Sequence, residues 1–258
     1  MAIPVLHPTN VTDGEGPGLR YRIEGELVPV LHLTINQMPI YFEHHVILWK
    51  QPQIDIAMHP MKKGFKRFLG GLPIFMTEAR GTGEVAFSRD TPGHLIPLHL
   101  SPGESIIVRE HQFLAATASV QYDAERIKGI GSMLFGNQGF WQDVFTGDQN
   151  GGIVWLHGHG NVFDVTLAPG EVIDVEPGAW VYRDRSVGYQ QQLFGLKTGL
   201  LGGGGNLVFN RFTGPGRVGI QSGFYSAGES GSVSGGDTAA KMGGAAVMGG
   251  ILGGILGD

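Results

Sequence analysis

Two histidines separated by one glycine, His157 and His159, are the residues of this 258-residue chain best placed to do chemistry. On a β-strand, side chains two positions apart lie on the same face, so both imidazoles could bind one metal ion. The adjacent residues His44 and His45 differ, because neighbouring side chains on a strand point to opposite faces. The sequence therefore offers one metal-site candidate, formed by His157 and His159.

The surroundings of this pair resemble half of a cupin metal site. Gly151, His157, His159 and Asp164 follow the spacing of the first cupin motif, with Asp in the place of the usual Glu. The second motif should supply another histidine after Pro-x-Gly, and residues 177–187 contain none. A cupin-like metal enzyme is thus one alternative, and a pair of strand-end or loop histidines is the favoured interpretation.

Carboxylates offer no clearer catalytic site. Glu104 and Glu171 occupy equivalent positions of a sequence repeat. An acid–base pair needs one asymmetric site with separated pKa values, whereas equivalent turn positions suit backbone or arginine partners. No serine lies in a nucleophile-elbow motif. We therefore predict no catalytic residue and no cofactor.

A basic and aromatic segment, residues 62–68, could bind anions. Beside two phenylalanines it carries four cations, Lys62, Lys63, Lys66 and Arg67. This combination suits an anionic membrane surface or an RNA backbone. The net charge of −5 argues against a generally basic nucleic-acid binder. RNA binding through residues 62–67 is a further alternative, and a solvated charged turn is the favoured one.

The chain contains a repeat that organises its predicted strands. Residues 100–120 and 167–187 share eight of 21 aligned residues at an offset of 67. Each copy begins with a Pro-Gly-Glu turn signal and continues with alternating apolar residues, the pattern of a strand with one buried face. The sequence Phe-Thr-Gly at 145–147 recurs at 212–214, and its glycine between apolar runs predicts a hairpin.

These repeats predict an all-β domain, residues 1–226, made of three β-sandwich units at about 27–99, 100–166 and 167–226. We expect a closed pseudo-threefold body, because closure removes exposed sheet edges. Pseudosymmetry would bring three apolar loops to one end as an interaction surface. Burial of these side chains under their own loops is the plainer alternative. The residues concerned are Phe65, Phe68, Leu69, Leu134, Phe135, Leu193 and Phe194.

Residues 227–258 predict a flexible tail with a Ser/Gly-rich start and an apolar end. Gly249, Gly253 and Gly257 recur at the spacing of close helix contacts, which suggests self-association through the tail. The apolar stretch of roughly 15 residues is shorter than the ~20 that a membrane span needs. The chain begins without a signal-peptide pattern and has no cysteine, so we expect a cytoplasmic protein, with peripheral membrane contact as an option.

Several of these features together resemble the AIM24 family over about residues 10–226. They are PGE-x-I-x-V at 102–108 and 169–175, the threefold repeat, the Phe-Thr-Gly turns and the glycine-rich tail. The resemblance implies a body related to the tryptophan RNA-binding attenuator β-sandwich, in three similar parts. It links eukaryotic members to mitochondrial inner-membrane organisation, implies no settled role for bacterial ones, and supplies no catalytic residues. RNA binding does not follow from the fold's namesake, since function belongs to sites rather than folds.

The function expected from the sequence is therefore a non-enzymatic scaffold or assembly role. Its expected partner is another protein or a membrane surface. The cupin-like metal enzyme and the RNA-binding protein stay as alternatives.

Overall fold

The computed structural model describes residues 2–7, 13–43, 45–59, 76–127, 140–193 and 208–223. Every regular element in these ranges is a β-strand, and the strands pair antiparallel in several sheets. The chain divides into a compact unit, Met1–Phe224, and a second unit, Tyr225–Asp258, which lies outside the described ranges. Among the described residues, no helix is long and apolar enough to cross a bilayer.

Three leading strands are followed by three groups of six strands. The leading strands are β1 (Val5–Leu6), β2 (Asp13–Gly16) and β3 (Leu19–Glu24). The first group is β4 (Val30–Asn36), β5 (Ile40–Glu43), β6 (Ile47–Lys50), β7 (Asp55–Met58), β8 (Met76–Arg80) and β9 (Thr82–Ser88). The second group is β10 (Gly93–Leu100), β11 (Ser105–Arg109), β12 (Phe113–Thr117), β13 (Val120–Ile127), β14 (Phe140–Gly147) and β15 (Gly152–His159). The third group is β16 (Val162–Leu167), β17 (Val172–Val175), β18 (Trp180–Asp184), β19 (Gly188–Leu193), β20 (Val208–Thr213) and β21 (Gly216–Gln221).

The pairing within each group follows one order. The first and third strands pair with the sixth, as in β10–β15 and β12–β15. The second and fourth strands pair with the fifth, as in β11–β14 and β13–β14. Each group therefore builds two three-stranded pieces, which lie in different sheets.

Neighbouring groups are joined through one strand pair. The third strand of a group pairs with the second strand of the group before it, in β12–β5 and in β18–β11. These junctions create a six-stranded sheet, β10-β15-β12-β5-β8-β7, and a seven-stranded sheet, β1-β16-β21-β18-β11-β14-β13. A five-stranded sheet, β2-β3-β4-β9-β6, and a three-stranded sheet, β17-β20-β19, contain the remaining strands.

The third strands of the three groups can be aligned residue by residue. Each has a β-bulge at the same point of its pairing with the sixth strand. The second residue after the bulge opposes a valine of the sixth strand. The residues aligned in this way are Lys50, Ala116 and Arg183, opposite Val85, Val154 and Val218. In the two junctions, Ala116 opposes Tyr41, which precedes Lys50 by nine residues, and Arg183 opposes Ile107, which precedes Ala116 by nine residues. Both junctions therefore have the same register.

Three clusters of buried apolar side chains fill the spaces between the sheets. Strand β4 follows the two-residue period: it buries Leu31 and Ile35 on one face and exposes Thr34 on the other. Strand β15 instead buries both faces, because Trp155 belongs to the first cluster and Leu156 to the second. The six-stranded sheet therefore packs against two cores, one on each of its faces.

The closed body predicted from the sequence is wrong for the described strands. Closure would require β6 to pair with β17, and these strands lie in different sheets. Within the described ranges, the domain keeps open sheet edges at both ends of its row of groups.

The hairpins predicted at the two Phe-Thr-Gly turns are also wrong. Strands β14 and β15 lie in different sheets, as do β20 and β21. Each turn carries the chain from one sheet to the next, close to another backbone segment. A Cβ on Gly147 would lie 2.6 Å from the Ser101 carbonyl oxygen, and one on Gly214 would lie 2.3 Å from that of Ala168. Glycine therefore allows the close approach of two backbones here, rather than a tight hairpin.

Candidate functional site

His157 is an internal hydrogen-bond donor. Its ring is fully buried, and Nε2 lies 3.2 Å from the carbonyl oxygen of Thr91. Strand pairing aligns His157 with Ser88 of β9 and Gln221 of β21, which donate to main-chain carbonyls at 3.0 and 2.8 Å. The three groups thus place a donor at the same point, and His157 fills a position that is structural in all of them.

The environment of His157 and His159 disfavours the protonated form of both rings. Their ring centroids are 5.4 Å apart. Burial, followed by the charges of Arg89 and His159, lowers the pKa of His157 to about 4, and burial and Arg89 also lower the pKa of His159. The Arg89 guanidinium is held 2.6 Å from Glu43 and 2.7 Å from the carbonyl oxygen of Phe113.

This environment does not fit a cupin metal centre. Neutral imidazoles are the right ligands, but no cluster of three His, Cys, Asp or Glu residues forms in the part of the chain that the structure describes. The nearby cation of Arg89 opposes a second positive charge. The cupin-type carboxylate, Asp164, has its own hydrogen bonds to His7 and Tyr182.

Asp164 instead anchors the start of the domain, a site that the sequence did not reveal. Its two oxygens lie 2.7 Å from Nδ1 of His7 and 2.7 Å from the hydroxyl of Tyr182. Burial alone raises the pKa of Asp164, but hydrogen bonds from His7 and Tyr182 outweigh this effect and lower it. These hydrogen bonds hold β1 against the edge of β16, with which it pairs.

The two repeat glutamates hold turns, as the sequence predicts. Glu104 accepts a hydrogen bond from the Ser101 amide at 2.9 Å and binds Arg217 at 2.8 Å. Glu171 accepts a hydrogen bond from the Ala168 amide at 3.1 Å and another from the N-terminal segment. Their carboxylates therefore close turns between sheets, and neither faces the other as an acid–base pair.

Most of the predicted interaction residues lie outside the described ranges. This applies to the basic segment (Lys62, Lys63, Lys66, Arg67), to the loop residues Phe65, Phe68, Leu69, Leu134, Phe135 and Phe194, and to Gly249, Gly253 and Gly257 of the tail. Leu193 is described only through its backbone, as the last residue of β19. Each of the three loops connects the fourth and fifth strands of its group.

Two strand edges form a candidate interaction site. Among the described strands, β6 pairs only with β9, and β17 pairs only with β20. Leu48 and Trp49 on β6 are 57% and 40% exposed, whereas Leu114 and Ala115, which occupy the same positions of β12, are fully buried. These exposed side chains belong to strand positions that are covered inside the domain.

An open groove of about 670 Å³ lies beside the β6 edge, on the outer face of the five-stranded sheet. Charges of both signs line it, including Arg20, Arg22, Glu24 and Glu84, and Trp49 packs near His32 with ring centroids 5.9 Å apart. The mixture of signs selects no single class of charged ligand. The groove therefore marks an exposed, charged face next to the open edge.

Comparisons with known proteins agree with the fold. The crystal structure of a protein from Streptococcus pyogenes is similar to the chain with a TM-score of 0.63 and 22% sequence identity. The similarity covers 80% of this chain and 94% of that one. None of the curated proteins compared with the chain matches it. The model of the family described as mitochondrial biogenesis AIM24 matches residues 21–223, and the chain therefore belongs to the AIM24 family.

Proposed function

We propose that this protein is a non-enzymatic scaffold whose three strand groups are copies of one structural unit. The observation that supports the proposal is the junction between groups. The same strand pair, in the same register, joins the groups twice, and one unpaired edge of each kind is left at the ends of the row of described strands. A structural unit that pairs with copies of itself suits assembly better than catalysis.

The physical basis of such docking is main-chain hydrogen bonding. An unpaired strand edge presents N–H and C=O groups that another strand can satisfy, and side chains on alternate faces decide which strand fits. In this chain the two edges belong to sheets that pack against a core on one face, the first core for β6 and the third for β17. The edges therefore need little ordering before they bind.

The family description is consistent with an assembly role. The description, mitochondrial biogenesis, names a process rather than a reaction, and the AIM24 model covers the strand groups described above. Contact with a membrane surface, through the three loops and the tail, is the finer part of the proposal. Liposome flotation tests that part: binding to anionic vesicles supports it, and recovery of all the protein in the unbound fraction refutes it.

Profiling of native complexes tests the scaffold function. Gentle extracts of cells that carry a tagged chromosomal copy are separated by native electrophoresis and compared with extracts of a deletion strain. We expect the tagged protein to migrate well above its own 27.6 kDa, and deletion to shift other complexes to smaller sizes. Migration at the monomer position, with all complexes unchanged on deletion, would refute the proposal.

A double variant, His157→Gln with His159→Gln, separates assembly from catalysis in the same cells. Glutamine can still donate a hydrogen bond at position 157, as Gln221 does in the third group. We expect the complexes to keep their sizes in this variant. If the deletion strain has a growth defect and this variant reproduces it while its complexes stay intact, the result would instead indicate chemistry at the histidine pair.

A further inference from the structure

The unpaired edge of β6 presents the backbone of Lys50. The Gln51 amide donates to the Glu84 carbonyl oxygen of β9 at 2.9 Å. Successive residues of a strand turn their N–H and C=O groups to opposite sides, so those of Lys50 point away from β9. Lys50 therefore offers one donor and one acceptor on the open side of the five-stranded sheet.

The unpaired edge of β17 presents the backbone of Asp174 in the same way. The Gly214 amide donates to the Glu171 carbonyl oxygen at 2.8 Å, and the pairing with β20 continues without a shift to Val175. Alternation then turns the N–H and C=O groups of Asp174 away from β20. The carboxylate of Asp174 lies on the surface, where Arg211 binds it in a bidentate manner at 2.8 and 2.7 Å.

The two internal junctions show how these edges fit together. Strand β17 follows β11 by 67 residues, so Asp174 matches Ile107. Lys50 matches Arg183, which opposes Ile107 in the second junction. Applied to the open edges, the same register places Lys50 directly opposite Asp174.

This register is electrostatically complementary. Lys50 and Asp174 would form a directly opposed pair of unlike charges on one face of the sheet, an arrangement that stabilises strand pairing. A lysine on an edge strand also discourages pairing with arbitrary strands. The edge charge therefore favours one partner, a strand with an acidic residue at the matching position.

We propose that β6 of one copy of the protein pairs with β17 of a second copy, head to tail, in the register of the internal junctions. The inference rests on the proposed scaffold function and names its partner. Each copy carries both halves of the junction, and among the described strands β6 and β17 of one chain do not pair with each other. A second copy is therefore the partner whose edge matches the internal junctions.

The proposed contact between copies has less apolar cover than the internal junctions. In the second group, Ile153 and Trp155 face the first core, and the aligned positions of the first group carry Glu84 and Ala86. Pairing between copies therefore depends on edge hydrogen bonds and on the charge pair. We expect reversible association that weakens as salt is added.

Charge reversal at the two edges tests the proposal with purified full-length protein. The single variants Lys50→Glu and Asp174→Lys each place like charges across the contact, so each should self-associate about tenfold more weakly than the native protein. Sedimentation velocity over a concentration series measures the change. Arg185→Glu, an exposed charge reversal just after β18, is the control and should associate like the native protein.

A mixture of the two single variants is the decisive test of the charge pair. In the mixture, the altered β6 edge of Lys50→Glu meets the altered β17 edge of Asp174→Lys with unlike charges, and the two unaltered edges pair as in the native protein. Association should therefore return to native strength, as it should in the double variant. Circular dichroism confirms that each variant is folded. A native protein that stays monomeric up to high concentration, or single variants that associate as well as the native protein, would overturn the proposal.

Hydrogen exchange shows whether another segment of the same chain already covers the β6 and β17 edges. Slow exchange of the Lys50 and Asp174 amides in a monomeric sample would show that another segment of the same chain covers the edges, and this outcome also overturns the proposal. The scaffold function would survive either result if native complexes in cells still changed on deletion. Self-association without any effect on those complexes would instead support the contact and refute the scaffold.

Discussion

His157 is conspicuous in the sequence because of its motif, but its properties in the structure follow from burial rather than from catalysis. The motif His-Gly-His attracts a metal-site interpretation, because spacing alone puts two imidazoles on one strand face. The structure adds the neighbours that the motif cannot show: a carbonyl that accepts from His157 and a cation, Arg89, from a distant part of the chain. These contacts join residues more than sixty positions apart, so local sequence could not predict them.

The buried ring makes the stability of the domain depend on pH. The pKa of His157 falls from an ordinary 6.5 to about 4 in the folded protein, so between these pH values the unfolded chain binds a proton that the folded one does not. Stability is therefore lost as pH falls from 6.5 to 4, by about 3 kcal/mol for this group. Urea unfolding at a series of pH values should show that His157→Gln lacks this part of the loss.

A non-titrating donor supplies the control for that experiment. Ser88→Ala removes the equivalent hydrogen bond in the first group and should keep the pH dependence of the native protein. If His157→Gln loses stability with falling pH as steeply as the native protein does, the proposed origin of the effect is incorrect.

At the scale of elements, the third and sixth strands of each group match a large side chain with a small one. Trp49 lies next to Ala86, Ala115 next to Trp155, and Tyr182 next to Gly219. The large residue lies on the third strand in the first and third groups and on the sixth strand in the second group. The combined volume of each pair is thereby accommodated. This compensation hides the equivalence of the strands from a direct sequence comparison.

Gly219 is the most sensitive of these positions. A Cβ there would lie 2.3 Å from Cε1 of Tyr182, whose ring is fully buried and whose hydroxyl is fixed by Asp164. Gly219→Ala should therefore destabilise the domain by about 1–3 kcal/mol, measured as a shift of the urea midpoint. Gly188→Ala is the matched control, because its Cβ would meet only Thr213 at 3.5 Å. Equal effects of the two substitutions would contradict the packing argument.

The elements are easier to predict from the sequence than their partners. The Pro-Gly-Glu turns lie where expected, with Gly103 and Gly170 at φ values of +76° and +78° that suit glycine. The two-residue period identifies a strand but not the strand that pairs with it, so the Phe-Thr-Gly turns resemble hairpins in the sequence alone. The four residues of β6, Ile-Leu-Trp-Lys, have the composition of a half-buried strand, and only the completed sheet shows them to be an edge.

At the scale of the whole molecule, the shared sheets link the three cores into one cooperative unit. The second core contains Tyr41 and Met76 from the first group and Val181 and Tyr182 from the third. No group can lose its fold without exposing apolar surface in its neighbour. The three groups should therefore unfold together rather than one after another.

Calorimetry of a variant with a cavity in the middle core checks this cooperativity. Phe145 is fully buried in the second core, and Phe145→Ala should cost about 3–5 kcal/mol. We expect one unfolding transition at a lower temperature. Phe212→Ala, in the third core, should also lower one single transition. Separate transitions, with one of them unmoved in each variant, would show that the groups fold independently.

The equal register of the two internal junctions has a consequence for the geometry of any larger assembly. A contact that joins unlike surfaces generates a ring when its rotation divides a full turn, and an endless filament when it does not. Here the rotation from one group to the next is already set twice inside each chain. A ring built by repeating that step contains a whole multiple of three groups. The angle between neighbouring groups, rather than the strength of the contact, thus fixes how many chains such a ring can hold.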